Sequence, residues 1–120
     1  MAKNYERTLK VGDTSPAVRV CVTNASNGKA PDWALASVRF YLLQIPEYGS
    51  DGPVVELINA VASIEAPAAT SGVLVYDWQP GDTDVLGRHM GFFVVTDDAG
   101  KIETYPEEGY IWITFEAGAP

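Results

Sequence analysis

The sequence has few of the residues from which small proteins build covalent frameworks, metal sites and catalytic centres. Among its 120 residues there is one cysteine, Cys21, and one histidine, His89. A single cysteine excludes an intrachain disulfide and a zinc site made of several cysteines. No apolar run approaches the ~18 residues that a membrane-spanning helix needs. The sequence therefore predicts neither a disulfide scaffold nor a membrane protein.

Basic residues are also scarce, and they are unevenly distributed. The formal net charge is −8, with eight lysines and arginines against sixteen aspartates and glutamates. Residues 1–50 carry a net charge of +2 and residues 51–120 a net charge of −10. Because nucleic-acid binding requires clustered cations, nucleic acid is not predicted as a partner. Two interpretations of the charge stay open: the acids keep the protein soluble, or the positive half of one copy meets the acidic half of another in a homo-oligomer.

Apolar residues alternate with other residues along most of the chain, and turn residues interrupt the alternation. Val18, Val20 and Val22 occupy every second position, which is typical of a strand. The Asn27-Gly28 pair that follows is a strong turn signal. The other expected strands cover residues 38–43, 54–58, 61–64, 72–78, 89–96, 101–105 and 110–115. One helical turn is expected at residues 32–36, with Asp32 as its N-cap.

Short strands separated by frequent turns predict an all-β fold. The spacing favours an immunoglobulin-like antiparallel β-sandwich of about seven to nine strands. A length of 120 residues fits a single domain that spans residues 1–120. Residues 1–6 and 117–120 are expected to be flexible tails.

The sequence gives only weak evidence for a catalytic or metal-binding site. Cys21 and His89 could pair as nucleophile and base, but both lie inside predicted strands, where residues pack rather than react. The pairs Asp82-x-Asp84 and Asp97-Asp98 could bind calcium, yet aspartate is also a standard turn residue. The sequence therefore predicts a protein that is not an enzyme and has no cofactor, with turn chemistry favoured over calcium at the aspartate pairs.

Two of the predicted carboxy-terminal strands carry apolar residues on both faces. If Phe93, Ile111 and Ile113 face the core, then Phe92 and Trp112 face away from it. The expected outer face comprises Met90, Phe92, Val94 and Trp112, together with Val75. Apolar residues on a second face imply that this face is covered by another segment of the chain or by another protein. A protein interface is favoured, and residues 46–70 of the same chain are the alternative.

Three stretches resemble a known family. They are VGDTSP at residues 11–16, YDWQPGDT at residues 76–83, and GKIETYP at residues 100–106 followed by GYI at residues 109–111. Together they resemble the amino-terminal domain of phage baseplate upper proteins and small stand-alone phage structural proteins that share it. The resemblance implies an immunoglobulin-like sandwich in a tailed-phage particle, with no catalytic residues. The expected core residues around this pattern are Tyr76, Trp78, Pro80, Phe93, Ile111 and Ile113.

The expected function is therefore that of a non-enzymatic structural protein of a tailed-phage virion, assembled in the host bacterial cytoplasm. Its expected partners are other virion proteins, either capsid or baseplate and tail subunits, and a homo-oligomer is also open. A head decoration or cement protein is slightly favoured, and a baseplate or tail accessory protein is the close alternative. A third hypothesis is a module that binds carbohydrate or a host surface through exposed loop aromatics, Trp33 and Tyr48.

Overall fold

The protein is an all-β sandwich. The computed structural model describes residues 5–23, 28–45, 55–106 and 109–117, which contain nine strands and no helix. The strands are β1 (Tyr5–Lys10), β2 (Val18–Cys21), β3 (Ser37–Gln44), β4 (Val55–Val61), β5 (Ser63–Ile64), β6 (Val73–Tyr76), β7 (Gly87–Thr96), β8 (Ile102–Tyr105) and β9 (Ile111–Glu116). Among the described residues, no helix is long and apolar enough to cross a membrane.

The strands form two sheets with an immunoglobulin-like order. The larger sheet has the order β1-β9-β7-β3-β4, and β8 pairs with β7 beside β9. Because β8 pairs with residues 93–96 of β7 and β9 with residues 87–91, the two together act as one interrupted strand. The smaller sheet has the order β2-β6-β5. The predicted all-β sandwich and its strand number are confirmed.

One pair of strands departs from the predicted antiparallel pattern. β1 runs parallel to β9, and Leu9 lies buried opposite Phe115. Tyr5 and Glu6 therefore belong to a strand, although the sequence assigned them to a flexible tail. The strand was missed because Glu6, Arg7 and Lys10 break its apolar pattern, as is common at a sheet edge. Residues 1–4 and 118–120 lie outside the described residues.

One local prediction is wrong, and another is confirmed with different strand bounds. The expected helical turn at residues 32–36 is a tight turn instead, in which Ala36 N donates to Trp33 O at 3.0 Å. Asp32 Oδ1 accepts a hydrogen bond from Ala34 N at 3.0 Å, so the aspartate caps the turn locally. The two short strands expected between residues 54 and 64 are the seven-residue β4 and the two-residue β5, which lie in different sheets. The predicted turn at Asn27-Gly28 includes residue 27, which lies outside the described residues.

Aromatic rings fill the core between the sheets. The Phe40 ring is fully buried and stacks on Tyr76, with 4.7 Å between centroids and 16° between planes. Phe93 lies 5.0 Å from the same ring, and the edge of Trp78 lies 5.9 Å from it. Because Phe40 and Phe93 belong to one sheet and Tyr76 to the other, these contacts join the two layers. These core residues lie between the sheets, so the outer surface of the six-stranded sheet is formed by other residues.

Candidate functional site

The YDWQPGDT stretch forms a turn at the end of β6. Tyr76 donates a hydrogen bond from its hydroxyl to Asp82 Oδ2 at 2.5 Å, and Gln79 N donates to the same oxygen at 2.8 Å. Burial, together with the Asp82 carboxylate, raises the pKa of Tyr76 well above its usual range. Tyr76 and Trp78 are buried, but Pro80 is exposed and is not a core residue. Its place in the turn between Gln79 and Asp82 suits its fixed backbone angle.

The same stretch is bonded to the VGDTSP stretch. Gly12 N donates to Thr83 Oγ1 at 3.0 Å, and the Thr83 hydroxyl donates to Asp13 O at 2.9 Å. Thr83 is almost fully buried, with 1% of its surface exposed. The VGDTSP and YDWQPGDT stretches are therefore held together by the Thr83 hydroxyl.

The candidate catalytic pair is not assembled. Cys21 is exposed in β2 of the smaller sheet, whereas His89 is fully buried in β7 of the larger one. His89 Nδ1 lies 3.3 Å from Ile113 O, and its ring contacts Phe115 at 4.7 Å. Burial lowers the pKa of His89 and outweighs the hydrogen bonds to Ile113 and Gly87, which favour its charged form. This histidine is a packing residue.

One aspartate of each candidate pair, Asp82 or Asp97, stabilises a turn. Asp82 is engaged with Tyr76 and Gln79, as described above. Asp97 Oδ1 accepts hydrogen bonds from Ala99 N and Lys101 N, both at 2.9 Å, and so closes the β7–β8 hairpin. Within the described ranges there is no group of three or more histidine, cysteine or acidic residues that could hold a metal ion.

The outer face of the six-stranded sheet brings together most of the predicted interface. Met90 pairs with Trp112 across β7 and β9, while Phe92 and Val94 follow on β7. All four side chains are half-buried. Val75 does not belong with them, because it lies on β6 of the opposite sheet, opposite Arg19. Its assignment to this face was wrong because the sequence does not show which strands share a sheet.

Four aromatic residues on this face, Tyr41, Phe92, Tyr110 and Trp112, form a continuous chain of ring contacts that we call the aromatic stripe. Tyr41 and Phe92 stack with 5.1 Å between centroids and 10° between planes. Tyr110 makes edge contacts with both Phe92 and Trp112, with 6.1 and 6.2 Å between ring centroids, respectively. The Arg88 guanidinium lies 4.2 Å from the centre of the Trp112 ring. Tyr41, Phe92 and Trp112 are half-buried, and Tyr110 is exposed.

Charges of both signs surround the aromatic stripe. Lys10 pairs with Glu116 at 2.6 Å and Arg88 with Glu6 at 3.4 Å, and these four residues share the outer face. Arg39 and Glu56 are the other described charged residues on this face, since they lie opposite Val94 and Leu43, respectively. The charges that the structure describes on the face are therefore balanced, although the whole chain carries −8.

The described part of residues 46–70 does not cover the stripe. β4 extends the same sheet sideways at its edge, and β5 belongs to the opposite sheet. Residues 46–54 lie outside the described residues. Among residues 55–70, therefore, the chain offers no strand that could shield the outer face, and the stripe faces outward.

Trp33, one of the two loop aromatics expected to be exposed, is buried. Trp33 is only 5% exposed and packs edge-on against Tyr105, with 5.7 Å between ring centroids. It borders a small cavity of about 150 Å³ that Asp32, Lys101 and Glu103 also line. The prediction of an exposed Trp33 is wrong, and Tyr48 lies outside the described residues.

Sequence reasoning missed Tyr41, Leu43 and Tyr110 on the outer face. Tyr41 and Leu43 alternate with the buried residues of β3, so the sequence pattern already indicates that their side chains face away from the core. Their nearness to Phe92 and Met90 depends on the pairing of β3 with β7, which a sequence pattern does not specify. Comparison of the chain with family models, curated proteins and solved structures finds no match.

Proposed function

We propose that this protein is a non-enzymatic structural component of a tailed-phage virion, which assembles through the outer face of its six-stranded sheet. The observation that carries the proposal is the aromatic stripe, set in a balanced ring of charges on a face that no described segment covers. The three stretches that resemble phage structural proteins support its place in a virion.

The composition of the face is that of an interface rather than of a reactive site. Phe92, Trp112 and Met90 are residue types enriched at the buried centres of protein interfaces, with Arg88 and Arg39 at the rim. A contiguous apolar surface of this kind is uncommon on a monomer. The titratable groups with shifted pKa values, Tyr76 and His89, are both buried in the core and do not reach this face.

The test is a double charge substitution on the face, Phe92→Glu with Trp112→Lys. Neither residue belongs to the buried core, so we expect the variant to fold but to be lost from purified virions. Cys21→Glu with Ser63→Lys is a matched control, because these exposed residues receive the same charges on the opposite, three-stranded sheet. The readout is the amount of each variant in particles from a phage that lacks its own copy of the gene.

The number of copies in the same purified particles distinguishes a head protein from a tail protein. Hundreds of copies per particle, measured against the major capsid protein, indicate head decoration, and a few to tens of copies indicate the baseplate or tail. Absence of the wild-type protein from particles contradicts a virion role. Normal incorporation of the Phe92/Trp112 variant contradicts assembly through this face.

A further inference from the structure

Two charged residues on the outer face have no ionic partner among the described residues. Arg39, on β3, donates hydrogen bonds only to Asn59, from Nε to the side-chain oxygen at 2.7 Å and from Nη2 to the backbone oxygen at 2.9 Å. Glu56, on β4, forms no salt bridge with any residue that the structure describes. The other described charged residues of the face are paired with each other, so the unpaired charges among them are one positive and one negative.

These two residues lie symmetrically about the middle of the aromatic stripe. Arg39 is opposite Val94, two residues along β7 from Phe92. Glu56 is opposite Leu43, which is itself opposite Met90, two residues from Phe92 in the other direction. Each charge is therefore about 7 Å along the strands from the level of the Tyr41–Phe92 stack, on opposite sides of it.

We propose that this face pairs with the same face of a second copy of the chain, about a two-fold axis that crosses the strands at the level of Tyr41 and Phe92. Such an axis reverses the strand direction, so Arg39 of each copy meets Glu56 of the other. The two aromatic stripes then close over each other, and the Arg39–Glu56 pair forms twice in the dimer. This inference rests on the proposed function, because it names the occupant of the same face.

The size of the face suits a dimer. Ten residues of β7 extend about 33 Å, and five neighbouring strands are about 24 Å wide. Because β7 is the longest of these strands, the footprint is at most roughly 800 Å², which is the area that each partner contributes to a standard interface. The electrical balance of the face also matters, because two chains of charge −8 repel less where bases and acids are equal in number.

Pairing through the β4 edge of the sheet is disfavoured. Ala62 N donates to Val38 O, so the alternation of an antiparallel ladder turns the Asn59 N–H and carbonyl away from β3 toward the edge. Arg39 already occupies that carbonyl. The register shift at Leu42/Leu43 further disturbs the edge strand. Association through the face is therefore favoured over addition of a strand at β4.

The test is a charge exchange followed by sedimentation velocity. We expect the wild-type protein to dimerise, and we expect Arg39→Glu and Glu56→Arg each to weaken dimerisation about tenfold or more, since each places like charges together twice. The combined variant Arg39→Glu/Glu56→Arg should recover the wild-type dimer. As a control, the same exchange at Arg19 and Glu65, an ion pair on the opposite sheet, should leave dimerisation unchanged.

A second measurement does not depend on those charged variants. In a Cys21→Ser background, Phe92→Cys places one thiol per copy at the proposed axis, about 10 Å from its mate in packed sheets. A thiol cross-linker of that reach should link the Phe92→Cys chains. Val61→Cys is the control, because that exposed residue would lie about 13 Å further from its mate along the strands.

The outcomes separate this inference from the proposed function. Any one of three results overturns the two-fold pairing. These are a wild-type chain that stays monomeric at its highest soluble concentration, a combined variant that fails to recover dimerisation, and equal cross-linking at residues 61 and 92. If the Phe92→Glu/Trp112→Lys variant is nevertheless lost from virions, the face still assembles, but with a different protein. If that variant enters virions normally, the proposed function fails first.

Discussion

Gly12 and Thr83, 71 residues apart, are joined by a hydrogen bond from the Gly12 N–H to the Thr83 hydroxyl oxygen. The same hydroxyl donates to Asp13 O, so one buried side chain fastens the turn after β1 to the turn after β6. These turns contain the VGDTSP and YDWQPGDT stretches. Their hydrogen bonds connect the parallel edge strand β1 to the rest of the sandwich.

Replacement of Thr83 should show how much this connection contributes. Thr83→Val keeps the shape of the side chain but leaves Gly12 N and Asp13 O without their partner. We expect a loss of about 1–3 kcal/mol in the free energy of unfolding, measured by denaturant titration. Thr83→Ser keeps the hydroxyl and should lose less. An equal loss in both variants would show that the methyl packing, rather than the hydrogen bonds, stabilises this site.

The two tryptophans at residues 78 and 112 should differ sharply in their contribution to stability. Trp78 is 3% exposed and contacts the rings of Phe40, Tyr76 and Phe115. We expect Trp78→Ala to cost roughly 3–5 kcal/mol, enough to unfold a domain of ordinary stability. Trp112→Ala, on the outer face, should cost only about 1 kcal/mol. Thermal and denaturant unfolding measure both, and similar losses would place Trp112 among the core residues.

The core and one side of the outer face could be predicted from the sequence because alternation is a local property. Once Phe93 and Ile113 are inward, the period of two directs Phe92 and Trp112 outward. Both directions agree with the structure, in which Phe93 and Ile113 are buried and Phe92 and Trp112 are half-buried. Local patterns therefore carried this part of the interpretation.

Features that depend on long-range pairing could not be predicted in the same way. β1 was missed because its pairing with β9 joins the two ends of the chain, and no short pattern records such a contact. Val75 was assigned to the wrong surface because strand direction is local, whereas membership of a sheet is not. Pro80 was assigned to the core because a motif can be specific without every member being buried.

The buried histidine should make stability depend on pH. Its pKa is lowered in the folded protein, so the unfolded chain takes up the proton first. The stability due to neutral His89 is therefore fully present above about pH 6.5 and falls as the pH drops below that value, by up to about 1.4 kcal/mol per pH unit. His89→Leu should flatten this dependence between pH 6.5 and pH 5. An unchanged slope in the variant would assign the acid sensitivity to other groups.

Gly72 should be the glycine least tolerant of substitution at the β2–β6 connection. Its φ is +65°, a conformation that L side chains rarely adopt, and a Cβ there would lie 2.5 Å from Val22 O and 2.7 Å from Ala30 Cβ. The Val22 carbonyl cannot move freely, because Val22 N also donates to Gly72 O at 2.7 Å and ties the two backbones together.

We therefore expect Gly72→Ala to combine backbone strain with a steric clash and to cost at least about 3 kcal/mol in the free energy of unfolding. Gly100→Ala is the matched control, because Gly100 has a φ of +84° but no atom within 4 Å of the added Cβ. The control should lose only the backbone part, about 1–2 kcal/mol. If both variants lost the same amount in denaturant titrations, the close approach of Val22 and Ala30 would contribute nothing, and the backbone conformation alone would explain the need for glycine.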